Sequence, residues 1–111
     1  MKHEEDDLHK AALAWFDRQY PKVIRFHVPN GGKRHIREAT KLKAFGTLAG
    51  TPDLFIVIPG QLQPAVEFKS KTGTLSPAQK EFRKRYEAQG GSYLVCRSLE
   101  EFQTAVRGWM K

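Results

Sequence analysis

Three charged residues surround two of the most apolar segments of the sequence. Asp53 directly precedes "LFIVI", and Glu67 and Lys69 lie within a second apolar run, "AVEFK". Charged side chains are costly to bury unless they are paired or bind a metal. Two carboxylates that converge beside an ammonium group can hold a hard divalent cation, with water and a phosphate as further ligands. The lysine can orient a water molecule and offset negative charge on a phosphate in the transition state.

The spacing of these residues decides whether they can meet. Glu67 and Lys69 are two positions apart in a predicted strand, so their side chains leave the same face. A hairpin centred on Gln61 would pair Asp53 with Lys69 and place Asp53 diagonal to Glu67, again on that face. The same pattern is compatible with a surface ion pair and an aspartate at the entrance of a strand. Its position around two apolar strands of a basic protein favours a functional site.

The surrounding elements are predicted in the order α-β-α-β-β-α-β-α, which indicates an α/β protein. Apolar residues at helical spacing predict a first helix over residues 4–19. The segment "VIRFHVP" alternates Ile24, Phe26 and Val28 with Arg25 and His27, which predicts a half-buried strand. Helical spacing returns from about residue 34 to residue 45. "LFIVI" is predicted as a strand buried on both faces, with "AVEFK" as its partner across a turn.

The second half of the chain carries clear helix and strand signals. Ser76 is the predicted N-cap of a helix that has a proline in its first turn, and Gln79 completes a capping box. Gly90 ends this helix. "SYLVCR" predicts the last strand, with Cys96 in the core, and a final helix follows. No linker or repeat divides the sequence, so residues 1–111 are predicted to form one domain.

The composition limits the class of protein. The 111 residues are 40% hydrophobic and 28% charged, as in ordinary soluble domains. No apolar run is long enough to span a membrane, and the start "MKHEEDD" is acidic, unlike a signal peptide. The single cysteine cannot form an internal disulfide, which fits a reducing compartment. We therefore expect a cytoplasmic protein that does not bind membranes.

The net charge of +7 indicates a polyanionic partner, most often nucleic acid. The segment "NGGKR" has two glycines, which let a backbone approach phosphates closely, ahead of a basic helix. Turn chemistry explains the glycines equally well, and a basic helix face can simply be solvated. We predict contacts with DNA from the following residues: Asn30, Gly31, Gly32, Lys33, Arg34, Arg37, Lys43 and Lys71.

Two other chemistries are not expected from the sequence. The glycine-rich segment lacks the spacing of a phosphate-binding P-loop, so nucleotide hydrolysis has no support. His3, His27 and His35 lack the spacing of zinc ligands relative to one another or to Cys96. A zinc site is therefore not predicted.

Taken together, the motifs resemble the VRR-NUC domain of the PD-(D/E)XK nuclease superfamily. "GTPDLFIV", "VEFKSKTGTLSPAQ" and "NGGKR" occur together in a basic chain, and the resemblance covers nearly its whole length. It implies a restriction-endonuclease-like core, in which helices flank a mixed β-sheet. It also implies hydrolysis of DNA that depends on Mg²⁺ or Mn²⁺ and proceeds by in-line attack of a metal-activated water.

The resemblance assigns roles to individual residues. Asp53 and Glu67 would be the metal-binding carboxylates, and Lys69 would be the catalytic lysine. Gln79 matches the family's glutamine at the start of the helix that follows. We also expect the backbone carbonyl of Phe68 to be a further ligand of the metal.

The family also places a glutamate in its first helix. Glu5 is the expected match because it shares a helical face with Leu8 and Ala12. Glu4 is the competing candidate, and ordinary acidic charge at a helix N-terminus is the alternative to both. His9 stands where the family often has glutamine. Its imidazole is expected to hold Glu5, to contact a phosphate or to lie at the surface.

Stand-alone members of the family resemble structure-specific endonucleases of phages and bacteria, which implies the cytoplasm of a bacterium or infected host. Branched DNA, above all the four-way (Holliday) junction, is therefore the expected substrate. The alternatives are sequence-specific cleavage, flap or nicking activity, and a nuclease-fold DNA-binding module without catalysis. An RNA- or ribosome-binding protein is more distant, because no aromatic-rich RNA-binding segment is present.

Resolution of a four-way junction takes two symmetric cuts, which predicts a homodimer. The sequence offers surplus large apolar residues for such an interface: Trp15, Phe16, Tyr20, Phe45, Leu48 and Trp109.

Overall fold

The protein contains a four-stranded mixed β-sheet flanked by helices, in a computed structural model that describes residues 2–29 and 36–111, with only the backbone for residues 2 and 36–39. The elements are α1 (Lys2–Gln19), β1 (Arg25–His27), α2 (Ile36–Ala44), β2 (Leu54–Ile56), β3 (Ala65–Phe68), α3 (Pro77–Ala88), β4 (Tyr93–Cys96) and α4 (Leu99–Trp109). The predicted order and the α/β class are confirmed. Among the described residues, no helix is both long and apolar enough to cross a membrane.

The strands lie in the order β1-β2-β3-β4. β1, β2 and β3 pair antiparallel, whereas β3 and β4 pair parallel. A parallel pair needs a crossover connection, and α3 lies within it. Aromatic residues of α3 contact the sheet, with Phe82 packed against both Phe55 and Tyr93. Helix α3, which lies in this crossover, therefore covers one face of the sheet.

The other face of the sheet carries the main core, against α1 and α4. Alternate residues of the strands point to this face, because the side chains of a strand have a period of two. The buried residues here include Ala12, Trp15, Phe16, Leu54, Ile56, Val66, Phe68, Cys96, Phe102 and Val106. Burial of each large side chain stabilises the fold by about 1.5–3 kcal/mol. Trp15 and Phe16 belong to this core, so they are not available for a partner.

The polar side chains of β1, and not its apolar ones, face α1. Ile24 and Phe26 are 65% and 45% exposed, whereas Arg25 and His27 pair with the core-facing residues of β2 and point toward α1. The cause is a polar surface on α1: Asp17 accepts hydrogen bonds from the Arg25 guanidinium, the shorter at 2.6 Å. The apolar alternation alone therefore does not show which face of β1 lies inward.

The hairpin register differs from the prediction. β2 and β3 pair about Gly60 rather than Gln61, because Gly60 adopts the positive φ of 81° that the turn requires. Continued by one position, this register places Asp53 opposite Glu67 and diagonal to Lys69. The shift changes the pairing by two residues, so all three side chains still leave one face.

Gly50 holds the segment before Asp53 against the start of α3. Its φ is 79°, and a Cβ added there would overlap the carbonyl group of Ala78. Gly60 has a similar φ of 81°, but within the described chain nothing lies within 4 Å of an added Cβ. Gly60→Ala should therefore cost only the backbone strain, about 1–2 kcal/mol. Gly50→Ala should cost on the order of 3 kcal/mol or more, since overlap is added to strain.

Urea unfolding of the two glycine variants measures this difference directly. Equal losses of unfolding free energy in Gly50→Ala and Gly60→Ala would show that the contact with Ala78 does not constrain the backbone.

Candidate active site

The open end of the β2–β3 hairpin brings Asp53 and Glu67 together. Glu67 lies in β3 and is only 4% exposed, and Asp53 immediately precedes β2. Oδ2 of Asp53 accepts a hydrogen bond from the backbone N–H of Phe68 at 2.9 Å. Because Phe68 follows Glu67 in the strand, this bond fixes one carboxylate beside the other.

Lys69 completes a charged group with these two carboxylates. Its Nζ lies 3.8 Å from Oε2 of Glu67, and its side chain is only 13% exposed. Burial raises the pKa of Glu67 to about 8, and the charge of Asp53 adds to this rise while the Lys69 ammonium opposes it. Without a cation, this pKa favours the protonated form of Glu67 at neutral pH, so its 3.8 Å contact with Lys69 is not a full ion pair.

The donor set fits a divalent cation. Oε1 of Glu67 is buried and has no hydrogen-bond partner among the described residues. A second carboxylate, that of Asp53, lies next to it. A cation would supply the missing partner and offset the charge that burial makes costly, because an opposite charge favours the ionised form of a carboxyl group.

The N-terminus of α3 places Gln79 against Glu67. Ser76 Oγ accepts from the backbone N–H of Gln79 at 3.1 Å, and Gln79 Oε1 accepts from the backbone N–H of Ser76 at 2.8 Å. The predicted capping box is therefore confirmed. The same side chain also donates from Nε2 to Oε2 of Glu67 at 3.0 Å. Gln79 thus links the start of the helix to the buried carboxylate.

Two glutamates of α1 reach the loop that follows β3. Glu5 Oε2 lies 3.4 Å from the backbone N of Ser70, and Glu4 Oε2 accepts from the backbone N–H of Lys71 at 3.2 Å. The charge of Glu5 is also among the causes that raise the pKa of Glu67. This position favours Glu5 over Glu4 as the first-helix carboxylate of the site.

Arg97 also belongs to this region, although no motif of the sequence indicates it. Its Nη1 donates to the backbone carbonyls of Ser70 and Gly73, both at 2.7 Å. These bonds satisfy backbone groups of the loop and hold it next to Lys69. The only sequence signal was an arginine directly after the last strand, which does not stand out in a basic chain.

His9 lies close to Asp53 and His27, and among the described residues no hydrogen bond joins it to Glu5. Its ring stacks on Phe68 with centroids 4.6 Å apart and meets His27 edge to face at 5.0 Å. It is half-buried rather than a surface residue. Burial lowers the pKa of His9, and the charge of Asp53 partly opposes this shift.

The predicted DNA contacts are described only in part. Residues 30–34 lie outside the described residues, and Arg37 is described by its backbone alone, within α2. Lys43 in the last turn of α2 and Lys71 in the loop after β3 are both exposed. The backbone carbonyl of Phe68, expected as a metal ligand, belongs to the last residue of β3, next to Lys69.

Comparison with known proteins shows the same fold. A solved structure described as "VRR_NUC domain protein" is similar with a TM-score of 0.79 and 25% identity, covering 96% of this chain and 87% of that chain. Another, described as "VRR_NUC domain", has the same fold, with a TM-score of 0.66, 18% identity, and coverage of 96% and 97%. No curated protein sequence matches. The family model described as "VRR-NUC domain" matches residues 3–100, and the chain therefore belongs to this family of nuclease domains.

Proposed function

We propose that the protein is a metal-dependent endonuclease of the PD-(D/E)XK type that cleaves branched DNA, with four-way junctions as its leading substrate. The carrying observation is that Asp53 and Glu67 lie side by side at the open end of the hairpin, with Lys69 and Gln79 against Glu67. A DNA-binding module without catalysis does not require this set of side chains. A carboxylate that is 4% exposed beside another one lowers stability, and such groups concentrate at functional sites.

Asp53 and Glu67 would hold Mg²⁺ or Mn²⁺, and the Phe68 carbonyl and the Glu5 carboxylate are candidates for further ligands. These are all oxygen ligands, which hard divalent ions prefer. When bound, the ion would polarise the scissile phosphate as a Lewis acid and lower the pKa of water.

The neighbouring residues each have a separate task in this proposal. Lys69 orients the attacking water and offsets negative charge on the phosphate. Gln79 fixes the orientation of the Glu67 carboxylate through its hydrogen bond of 3.0 Å. Arg97 acts at a distance as a positioning residue, since it anchors the loop that follows Lys69.

A substrate panel tests the proposal. The pure protein is incubated with duplex, single-stranded, flap and four-way DNA of matched sequence, in Mg²⁺, Mn²⁺ or EDTA. We expect cleavage of the four-way substrate in either metal and none in EDTA. Cleavage in EDTA would contradict the proposed metal dependence. Equal cleavage of the duplex would contradict specificity for DNA structure. Cuts at one fixed sequence would favour the restriction-type alternative.

The basic residues near the site are proposed to contact DNA phosphates. Replacing Lys43 and Lys71 with Gln should weaken binding and lower the slope of log K against log salt by about 0.9 for each lost contact. Replacing Lys33, Arg34 or Arg37 is expected to weaken binding and lower the slope in the same way.

Lys22→Gln is the matched control for this DNA interface. Lys22 is exposed and lies just beyond the end of α1 that is remote from Glu5. The helix separates it from Glu5 by roughly 25 Å. Anisotropy titrations from 50 to 300 mM salt, roughly the range in which phosphate contacts dominate, give each slope. An unchanged slope in the Lys43 and Lys71 variants would assign these residues to a solvated surface.

A two-fold homodimer is proposed as the active form, because it would present two sites with the symmetry of the junction. Several large apolar side chains remain exposed and support this proposal: Ile24, Phe26, Phe45, Leu48 and Leu62. Light scattering at micromolar concentration should report about twice the 12.7 kDa mass of the chain. A strict monomer that cuts flaps and ignores four-way junctions would contradict both the dimer and the junction substrate.

A further inference from the structure

Two imidazoles converge on Asp53 from the side of the sheet that α1 covers. His9 comes from α1 and His27 from β1. One ring nitrogen of each and one carboxylate oxygen of Asp53 all lie within 4.8 Å of one another. The three residues are far apart in sequence, so no spacing pattern reveals them.

The hydrogen bonding of His27 leaves a nitrogen available for a ligand. Its Nδ1 lies 2.7 Å from the backbone carbonyl oxygen of Asp53. A carbonyl oxygen can only accept, so Nδ1 carries the proton and Nε2 of the neutral ring carries a lone pair. Histidines that bind metals are usually held in this way, by donating from one ring nitrogen to a carbonyl or carboxylate.

His9 has a buried nitrogen that needs a partner. Its Nε2 is buried and makes no hydrogen bond to any of the described residues. The ring is held in place by its stacking on Phe68 and its edge-to-face contact with His27. A buried polar atom without a partner costs about 1–3 kcal/mol, and coordination of a metal ion would satisfy it.

A solvent-open cavity gives an ion access to the two histidines. It has a volume of about 260 Å³ and is lined by Asp6, His9, Lys10, Leu13 and His27. Asp6 precedes His9 by three residues on α1, so both side chains face the same side of the helix. Asp6 or water can therefore complete the coordination.

We propose that His9, His27 and Asp53 bind a divalent transition-metal ion of the Zn²⁺ or Co²⁺ class at a second site, which shares Asp53 with the proposed catalytic site. Imidazole ligands favour such ions, whereas the carboxylates around Glu67 favour Mg²⁺ and Mn²⁺. Ligands of a tetrahedral zinc ion lie roughly 3.3 Å apart, so the three side chains must draw together on binding. His27 is exposed and can rotate to do so. The ion would connect α1 and β1 to Asp53.

Metal titrations of the tag-free, EDTA-treated protein test this site without any measurement of cleavage. Isothermal titration with Zn²⁺ should show one tight equivalent, and Co²⁺ should give visible absorption bands typical of nitrogen ligands. His9→Gln and His27→Gln should each weaken binding at least 10-fold. Bound Zn²⁺ should also raise the melting temperature of the native protein.

The controls separate this site from the catalytic one. His3→Gln changes an exposed histidine on the same helix and should leave Zn²⁺ affinity unchanged. Glu67→Gln should weaken Mn²⁺ binding but keep Zn²⁺ affinity within about threefold, because Glu67 is not a ligand of the second site. If His9→Gln fails to fold, His27→Gln carries the test, since His27 is exposed.

No tight Zn²⁺ binding by the native protein, or equal binding by the His27→Gln variant, would overturn the second site. Either result leaves the nuclease proposal standing. Conversely, a protein that binds Zn²⁺ through His9 and His27 but cleaves no DNA would refute the nuclease proposal alone.

Discussion

Replacing Asp53 with Asn, Glu67 with Gln or Lys69 with Met is expected to lower the rate of DNA cleavage by a factor on the order of 10³. The first two changes remove an anionic ligand while keeping the shape of the side chain, and the third removes the only ammonium seen against Glu67 in the described part of the chain. DNA affinity should stay within about threefold of the native value, because phosphate contacts elsewhere supply most of the binding energy.

Single-turnover cleavage of a four-way junction measures these losses, and anisotropy in EDTA measures affinity. Glu100→Gln and Lys22→Met are matched controls, since both residues are exposed and lie outside the site. Native cleavage rates in Asp53→Asn or Glu67→Gln would refute the assigned site. A similar loss in the two controls would point to damaged folding instead.

Glu67→Gln is also expected to stabilise the metal-free protein at alkaline pH. The pKa of Glu67 is about 8 in the folded protein, against 4.5 for an unperturbed group. Between these values the folded protein keeps a proton that the unfolded chain has lost, so its free energy of unfolding falls as the pH rises. Glutamine resembles the protonated carboxyl group and does not titrate. The variant should therefore gain on the order of a few kcal/mol over the native protein at pH 9 and little at pH 5, roughly the two ends of this window.

Urea unfolding in EDTA across this pH range tests the expected stabilisation, with Glu100→Gln as a control that should follow the native protein. Added Mn²⁺ should stabilise the native protein at high pH and leave Glu67→Gln nearly unchanged, since only the ionised carboxylate binds the ion. Stability that rises with pH more steeply in the native protein than in Glu67→Gln would contradict a buried, protonated Glu67.

Local signals in the sequence were sufficient for most of the architecture. The capping box of α3 uses residues three apart, and strand parity uses residues two apart, so both depend only on short-range geometry. These signals placed Ser76 and Gln79 correctly and put Glu67 and Lys69 on one face. The order of the elements followed from the same kind of pattern.

The features that local patterns did not predict concern relations between distant segments. The register of β2 against β3 depended on which residue of the turn adopts a positive φ, and Gly60 rather than Gln61 does so. The inward face of β1 depended on Asp17 of α1, which pairs with Arg25. The approach of His9 to His27 depended on how α1 packs against the sheet edge. Neither periodicity nor spacing along one segment carries this information.

The turn of the β2–β3 hairpin is a position at which the protein can be labelled, because it lies far from the carboxylates at the open end. Asp53 and Glu67 lie at the open end, and Gly60 lies in the turn, seven residues from each along the chain. At about 3.3 Å per residue, the turn is roughly 20 Å from the carboxylates. Residues 59–63 are exposed, and exposed turns of this kind tolerate insertion well. A fluorophore or a short peptide tag attached at this turn would report on the protein in solution and on DNA without touching the residues that perform the chemistry.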